Sequence, residues 1–427
     1  MLDLKKLRET PEIFKAGVAA KSPKSAEMID QILELDKDRR KWVAEVEALK
    51  AERNKANDQI AAAKKAGKPA EDVLAAMKAS SQKIKEIDLK VGYVDSKIAS
   101  ILAIIPNIPH KDVPVAAGVT GNKVVKTWGE PKKLSFAGKD HLDLANALGW
   151  ISMEIGAKIT GAGFPVYFGE GARLQRALIN LMLDTHTQKH GYKESWAPAI
   201  VNRASMIGTG QVPKMEEDMY SLYEPETEKK HGDFFLIPTA EVPITNFFRD
   251  DTLTEEQLPI LMTGYTPCFR REAGTYGKDT RGLSRVHQFD KVELVKIAHP
   301  DHSEKELETL LANAEAILQA LELPYRVLLL GSGDMSFSAA KCYDLEVWAP
   351  VSQKWFEVSS CSLFGDFQAR RANIRFRRKE SGKIDFCHTL NGSGLALPRI
   401  VLALLENFQT ADGKILFPKA LQRYFSC

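Results

Sequence analysis

Two runs of residues with a heptad pattern constrain the fold of this chain more than any other feature. In each run, mostly apolar residues recur at alternating steps of four and three, which is the spacing of a coiled-coil seam. The first seam covers residues 28–60 and is interrupted by Arg39 and Arg53, and the second covers residues 73–101. A Gly-Lys-Pro turn at 67–69 separates them. The pattern predicts two antiparallel helices, each roughly 50 Å long at about 1.5 Å per residue.

A hairpin of this length leaves most of its surface in solvent, and its predicted tip is basic. Residues 1–110 contain 21 Lys+Arg and 17 Asp+Glu, and Lys64, Lys65 and Lys68 lie together near the turn. Positive charge and reach are what contact with a nucleic-acid phosphate backbone requires. A solvated helix tip would carry the same charges, so the sequence leaves both interpretations open.

The composition is that of an ordinary globular protein, and the net charge of +3 over 427 residues is too small to indicate nucleic-acid binding by itself. A stretch rich in proline, glycine and lysine at 106–135 reads as a linker, which predicts domains at 1–110 and 111–427. Five cysteines without CxxC spacing argue against a zinc site and fit reduced thiols. With neither an export signal nor a membrane span in the sequence, we expect a cytoplasmic protein.

Residues 265–293 predict two β-strands joined by a long polar loop. Arg270-Arg271-Glu272 follows the first strand, and the chain returns to a second strand that ends at Glu293. Arginine suits phosphate or carboxylate, and a glutamate two residues away can lie on the same side of a strand. By itself, this charge pattern more often belongs to a solvated hairpin with salt bridges.

Two other predicted strands end in oxygen-bearing side chains. Residues 235–241 form an apolar run that ends in Thr239-Ala240-Glu241, where a buried carboxylate would need a cation such as an ammonium group. Residues 355–360 end in Glu357-Val358-Ser359-Ser360, whose oxygens suit Mg²⁺ held jointly with phosphates. Each segment alone is weak evidence, but together they predict a site for a charged ligand.

The rest of the second domain alternates helical and strand patterns. We predict helices at 171–189, at 303–321 with Ser303 as N-cap, and at 400–406, and a strand at 325–330. Asn391–Arg399 is glycine-rich and brings an arginine to a helix start, an arrangement that suits phosphate. Gly331-Ser332-Gly333 lacks the third glycine of a dinucleotide motif. His186 and His190 have no third ligand in view, so we expect a surface helix end there.

Taken together, these segments resemble the class II aminoacyl-tRNA synthetases, and the bacterial-type seryl-tRNA synthetase family in particular. Residues 171–198, 269–272 and 392–399 are similar to the three class II signature motifs, in order along the chain. The segments at 239–241 and 357–360 and the helical arm are similar to the seryl-tRNA synthetases. Pro398 stands where many members have glycine.

The resemblance implies an α+β fold: an antiparallel coiled-coil arm and a catalytic domain with an antiparallel sheet flanked by helices. It implies a homodimer that activates L-serine with ATP and Mg²⁺, releases pyrophosphate, and transfers the seryl group to the 3′ end of a serine tRNA. In a host that has one, a selenocysteine tRNA would be a second substrate. The arm would hold the tRNA, with Lys64, Lys65 and Lys68 as candidate contacts. We expect no editing domain, because a site that reads a hydroxyl rejects alanine by roughly 10⁴-fold.

The resemblance also implies roles for individual residues. Arg270, Glu357 and Arg399 would be catalytic: Arg270 bridges the serine carboxylate and the α-phosphate, and Arg399 contacts the γ-phosphate side. Glu357 and Ser360 would bind Mg²⁺. The serine site would comprise Thr239, Ala240, Glu241, Arg270, Glu293 and Ser393. The ATP site would comprise Arg270, Arg271, Glu272, Arg285, Phe289, Glu357, Val358, Ser359, Ser360 and Arg399, with Glu272 on the adenine amino group and Phe289 stacked on the ring.

Two alternatives remain. A paralogue that loads amino acids onto a carrier protein would share the catalytic domain but lack the long arm. A non-catalytic RNA-binding or regulatory homologue would be expected to have lost site residues, and here Arg270, Glu272, Glu357 and Arg399 are all present.

Overall fold

A computed structural model describes residues 1–67, 71–222, 233–272 and 281–425, without the side chains at 63, 64, 71 and 74. The chain forms two compact units, one of residues 2–106 and one of residues 107–427 together with Met1. Within the described ranges, every helix is too short or too polar to cross a membrane.

In its described residues, the first unit contains helices and no strands. Its helices are α1 (Leu4–Glu9), α2 (Pro11–Ala19), α3 (Pro23–Ala26), α4 (Met28–Lys65) and α5 (Glu71–Ile104). Helices α4 and α5 pack along each other with Val46, Ile84 and Ile87 buried between them, all three at seam positions. This confirms the predicted helical hairpin, because the residues that recur every three or four positions are those that leave solvent.

Ion pairs across the two long helices fix their register. Lys83 of α5 contacts Glu45 of α4 at 2.8 Å, and Arg39, at a seam position, contacts Asp95 of α5. Arg39 thus pairs with the opposite helix in addition to lying along apolar neighbours. Such exposed pairs contribute little stability each, but they favour one alignment of the helices.

The second unit is built on an antiparallel sheet. The strands of this unit are β1 (Lys123–Trp128), β2 (Ile151–Ser152), β3 (Val166–Tyr167), β4 (Lys193–Glu194), β5 (Ile200–Asn202), β6 (Ser221–Leu222), β7 (Phe234–Leu236), β8 (Thr252–Thr254), β9 (Ile260–Phe269), β10 (Gln288–Ala298), β11 (Tyr325–Leu329), β12 (Lys341–Ala349), β13 (Lys354–Gly365), β14 (Arg375–Arg377), β15 (Ile384–Phe386) and β16 (His388–Ala396). In the described part of the chain, the main sheet has the order β1-β11-β12-β13-β16-β10-β9-β4. Its neighbouring strands are antiparallel except β4 and β9.

The helices of this unit are α6 (His141–Ala147), α7 (Met153–Ile159), α8 (Gly169–Gln188), α9 (Arg203–Thr209), α10 (Glu241–Asn246), α11 (Ser303–Ala320), α12 (Phe367–Ala372), α13 (Leu397–Phe408) and α14 (Lys419–Phe425). Helices α8, α10, α11, α12 and α13 pack against strands of the main sheet. Leu178 of α8, Leu310 of α11 and Leu402 of α13 are fully buried against the strands. The predicted fold class, an antiparallel sheet flanked by helices, is therefore confirmed.

Several local expectations were wrong. The strand predicted at 235–241 ends at Leu236, and Glu241 instead begins α10, because Pro238 interrupts the ladder. Residue 303 is already helical in α11, whose N-cap is His302. The sequence 357–360 lies inside β13 and is not at its end. Residues 391–396 form the C-terminal part of β16, which leads directly into α13.

The stretch read as a linker at 106–135 contains ordered structure. Its β1 pairs with β11 and forms one edge of the main sheet. The prolines and glycines that suggested a linker flank this strand, which explains why its own short apolar run was not recognised.

Candidate active site

Three adjacent strands, β13, β16 and β10, carry seven of the candidate residues, and Arg270 directly follows the neighbouring strand β9. Side chains two positions apart on a strand point to the same face, so Lys291 and Glu293 of β10 lie together, as do Asn391 and Ser393 of β16. Glu293 is paired with Ser393 across the two strands. The turn after β7 then brings Thr239 and Glu241 to this face.

A buried polar cluster forms where these segments meet. Glu293 is fully buried, and its carboxylate forms an ion pair with Lys291. The Asn391 amide donates to both carboxylates, at 3.0 Å to Glu241 and 2.8 Å to Glu293. Lys291 also donates to Thr239 Oγ1 at 2.8 Å. The cluster thus holds two carboxylates and one ammonium group.

Glu241 is the side chain in this cluster whose pKa is most informative. Its carboxylate accepts from the Gln368 amide at 2.6 Å, yet the pKa of Glu241 is raised to about 7. Burial is the main cause and the charge of Glu293 the second, while the hydrogen bond from Gln368 and the charges of Lys291 and Arg270 oppose the shift. A cationic group entering the cluster would oppose the shift, as Lys291 and Arg270 do, because it stabilises the ionised form of the buried carboxylate.

Arg270 lies directly after β9. Its guanidinium lies over the ring of Phe289, 5.2 Å from the ring centroid, and Nε donates to the Pro238 carbonyl at 3.3 Å. Phe289 is paired with Cys268 in the β9–β10 ladder, so the strand register sets the position of the ring under the arginine. The pair offers a flat surface with a positive charge above it, suited to an aromatic ring and an anion.

Glu272 and Arg285 close this end of the site. The Glu272 carboxylate accepts from the Arg285 guanidinium, so the two residues that bracket the predicted loop are linked. Glu272 has a positive φ of 52°, a left-handed conformation that a glutamate rarely adopts. Arg271 is exposed, and its backbone N–H donates to the Asp218 carbonyl. Residues 273–280 of the loop lie outside the described residues.

A bulge in β13 places Glu357 and Ser360 on one face. The partner of Leu345 is Ser359 and the partner of Glu346 is Glu357, so Val358 is the extra residue. In a regular strand, residues three apart face opposite sides, and one bulge residue brings them to the same side. Val358 and Ser359 are buried, while the Glu357 side chain is 46% exposed.

This face of β13 offers a set of hard oxygen donors. Asp344 of β12 lies opposite Ser360 and hydrogen-bonds the Ser360 hydroxyl. The pKa of Asp344 is raised well above the usual range, first by burial and second by the charge of Glu357. A carboxylate and a hydroxyl beside a second carboxylate are ligands that Mg²⁺ prefers. The residues therefore fit the metal that the sequence predicts.

Arg399 connects this donor set to the β9–β10 hairpin. It lies in the first turn of α13 and donates from Nε to the Ser284 carbonyl at 2.9 Å, and from Nη1 to the Glu357 carbonyl at 2.8 Å. Nη1 also lies 3.4 Å from the Glu357 carboxylate. Pro398 occupies the first turn of the helix, where proline is well tolerated because that N–H has no helical partner.

The structure brings most of the predicted residues to this one face. Ser359 Oγ donates to the Ser393 carbonyl at 2.7 Å, so β13 and β16 are tied next to the polar cluster, and Ala240 is fully buried beside Glu241. The candidate tRNA contacts belong to the separate helical unit. There Lys65 is exposed, while the Lys64 side chain and all of Lys68 lie outside the described residues.

Four contributors were not predicted: Lys291, Gln368, Asn391 and Asp344. The signal for Lys291 and Asn391 was available, because each stands two residues before a predicted site residue on the same strand face. The surface helix end expected around His186 was also wrong, since His186 is fully buried. Its ring lies against β16.

Comparisons with known proteins show the family of the chain. Residues 1–109 match the model of the seryl-tRNA synthetase N-terminal domain, and residues 223–408 match that of the tRNA synthetase class II core domain (G, H, P, S and T). A serine–tRNA ligase of Trichlorobacter lovleyi is 51% identical over 99% of this chain and 98% of its own length. One of Chloroherpeton thalassium is 50% identical over 100% of this chain and 99% of its own.

A solved structure gives the same result. The seryl-tRNA synthetase of Pyrococcus horikoshii, crystallised with ATP, superposes with a TM-score of 0.92. It is 36% identical to this chain, and the match covers 100% of this chain and 98% of that protein.

The cluster around Glu241 predicts a pH-dependent stability. The pKa of Glu241 in the folded protein, about 7, exceeds the ordinary value of 4.5. The free energy that this carboxyl contributes to stability is therefore fully present below about pH 4.5 and is lost as the pH rises through 7. The loss amounts to about 3 kcal/mol. Glu241→Gln should therefore show a flatter dependence of unfolding free energy on pH, measured by urea denaturation between pH 5 and 8.

Exposed Glu380 provides the control, because Glu380→Gln changes the same chemistry without burial. Parallel pH profiles for wild type and Glu241→Gln would contradict the raised pKa.

Proposed function

The chain belongs to the seryl-tRNA synthetase family, and from this premise we propose how its residues carry out the two steps of serine–tRNA ligation. In the first step, a serine carboxylate oxygen attacks the α-phosphorus of ATP, the bond to the bridging oxygen breaks, and pyrophosphate leaves. In the second, a hydroxyl at the 3′ end of the tRNA attacks the seryl carbonyl, and AMP leaves. The match of residues 1–109 to the family's N-terminal domain disfavours a paralogue that loads a carrier protein.

The buried polar cluster is the observation that carries this proposal. Glu241 and Glu293 outnumber the single cation Lys291, and an ammonium group from the substrate would balance the charge. Thr239 and Glu241 would receive that ammonium group. Glu293 and Ser393, which face each other across β10 and β16, would hydrogen-bond the serine hydroxyl.

Reading a hydroxyl in this way supports discrimination against alanine. A ligand without the hydroxyl would leave buried polar groups of Glu293 and Ser393 without a partner, which can give roughly 10⁴-fold rejection. The proposal therefore includes no separate editing site.

ATP would bind over the hairpin. Its adenine ring would stack on Phe289 with its amino group donating to Glu272, while Arg271 and Arg285 would provide further positive charge near the phosphates. Arg270 would contact both the serine carboxylate and the α-phosphate, positioning the nucleophile and stabilising the charge that grows on the phosphate oxygens. Arg399 would hold the distal phosphates.

Mg²⁺ would be held by Glu357 and Ser360, next to Val358 and Ser359 in the bulge of β13. When bound, the ion neutralises phosphate charge during the displacement. Asp344 would keep the Ser360 hydroxyl oriented through their hydrogen bond.

The helical unit would hold the tRNA. On α5, Asp88 and Asp95 contact cations of α4, whereas Lys85 and Lys97 are exposed and have no carboxylate partner among the described residues. These two side chains therefore offer unneutralised positive charge, as does Lys65 at the end of α4, and all three suit a phosphate backbone. We include Lys64 and Lys68 near the turn in the same role.

We also propose a homodimer and a cytoplasmic location. Trp196, in the segment that resembles the first class II motif, is 81% exposed and lies beside Tyr265 and Pro267, a combination typical of a subunit interface. The four described cysteines are buried free thiols, which fits a reducing compartment.

The test of this function is amino-acid-dependent exchange of pyrophosphate into ATP. Across the twenty amino acids we expect exchange to be strongest with serine, because only serine satisfies both Glu293 and Ser393 without excess volume. Exchange that is strongest with alanine or glycine would refute the proposed substrate.

Arg270→Ala should reduce serine-dependent exchange by at least about 10²-fold, the usual loss when one charge-stabilising donor is removed. Its thermal unfolding should match wild type, because the guanidinium lies at the surface of the site. Arg377→Ala, which removes an exposed arginine of β14, is the control and should leave exchange unchanged. Wild-type exchange in Arg270→Ala would remove Arg270 from the mechanism.

Charge reversal on the arm should separate the two steps. Lys85→Glu with Lys97→Glu should weaken tRNA charging, more so at low salt, and leave pyrophosphate exchange intact. Lys37→Glu with Lys41→Glu makes the same charge change on exposed positions of α4 and serves as the matched control.

Deletion of residues 30–100 is the more severe form of this experiment. It should nearly abolish charging and again spare exchange. Loss of exchange in the deletion variant would show that the two units do not divide the reaction in this way.

A further inference from the structure

His186 makes an unusual contact between α8 and the strand that carries Ser393. It lies at the last turn of α8 and is fully buried, and its Nε2 lies 3.1 Å from the Gly394 carbonyl oxygen. A Cβ at Gly394 would lie 2.7 Å from the same nitrogen, so the ring packs directly on the backbone. The His186 side chain therefore contacts the backbone of β16 directly.

The partners of the ring determine its tautomer. A carbonyl oxygen can only accept, so Nε2 of His186 carries the hydrogen. Burial lowers the pKa of His186 to about 4, so the ring is neutral near pH 7 and its Nδ1 is an acceptor. The His190 Nδ1, 3.0 Å from that atom, must then be the donor. The chain His190–His186–Gly394 thus has one direction of donation.

Gly394 is the extra residue of a bulge. In the ladder between β10 and β16, Val292 is paired with Leu395 and Glu293 with Ser393, so Gly394 has no partner on β10. A buried carbonyl outside the ladder needs another donor, and His186 provides it. The hydrogen bond therefore stabilises the bulged form of the strand.

The bulge sets the register of the amino-acid pocket. It places Ser393 opposite Glu293, and the Ser393 carbonyl accepts from Ser359 on the other neighbouring strand. Two residues earlier, Asn391 donates to both carboxylates of the cluster. Loss of the donor at Gly394 would free this segment to shift relative to Glu293.

We propose that His186 is a positioning residue for serine recognition, which it supports by holding the Gly394 bulge so that Ser393 and Asn391 meet Glu293. His190 keeps His186 in the required tautomer. The inference rests on the proposed function, since it assigns the amino-acid pocket to this cluster. It predicts an effect on serine binding that ATP binding does not share.

A matched pair of amide variants tests the position of the donor. The amide nitrogen of glutamine reaches close to the place of Nε2, whereas that of asparagine stands near Nδ1. In pyrophosphate exchange, His186→Asn should raise the KM for serine about tenfold and leave the KM for ATP within about twofold. His186→Gln should keep the KM for serine within about threefold of wild type.

Thr187→Val is the control, because the Thr187 hydroxyl bonds within α8, to the Leu183 carbonyl at 2.8 Å. It should change neither KM. Equal effects of the asparagine and glutamine variants, or equal rises in the KM for serine and the KM for ATP, would overturn the inference. The proposed function would still stand in that case if the wild-type protein catalyses exchange with serine. Absence of serine exchange in wild type would instead refute the proposed function.

If His186→Asn does not fold, histidine NMR of the wild-type protein tests the inference instead. With ¹⁵N-labelled histidine at pH 7, His186 should be neutral with its hydrogen on Nε2, and that signal should shift on saturation with serine but not with ATP. A charged ring, a hydrogen on Nδ1, or a signal unaffected by serine would overturn the inference.

Discussion

The rest of the site depends on the burial of Glu241 and Glu293 side by side. Two carboxylates removed from water repel each other and lose their hydration, and Lys291 neutralises only one charge. The remaining stabilisation comes from neutral donors on other elements, Asn391 of β16 and Gln368 of α12. Because the donors are spread over several elements, the cluster can form only when the sheet and its helices are fully assembled.

Two β-bulges place the site residues on the same face of the sheet. A regular ladder would leave Glu357 and Ser360 on opposite faces, and the extra residue Val358 brings them together. Gly394 does the equivalent on β16, where it aligns Ser393 with Glu293. Each of these bulges adds a residue without a partner on the neighbouring strand, and at Gly394 a buried histidine hydrogen-bonds the buried carbonyl. These two irregular positions of the sheet thus lie at the site.

The sequence predicted those features that depend on local periodicity. The heptads of α4 and α5 and the β9–β10 hairpin follow from repeats of apolar residues within one segment, and both are present. The partners of the site residues could not be predicted in the same way. Gln368 meets Glu241 across 127 positions of sequence, and a bulge such as that at Val358 depends on the register of a neighbouring strand. From the sequence alone, Lys291 would be predicted to be exposed, because the burial of its ammonium group depends on the ion pair with Glu293.

In the proposed function, the short turn from Pro238 to Glu241 would let one site hold both ends of an amino acid. At its start, the Pro238 carbonyl accepts from Arg270, and at its end Thr239 and Glu241 join the acidic cluster. A positive group and a negative group are therefore held a fixed distance apart by a few residues of backbone. A zwitterion placed between them has its carboxylate near Arg270 and its ammonium near Glu241, and reversing its direction would bring like charges together. Pro238 interrupts the strand, which is why residues 235–241 differ from the simple prediction. The turn that results places the Pro238 carbonyl next to Arg270 and Glu241 in the acidic cluster.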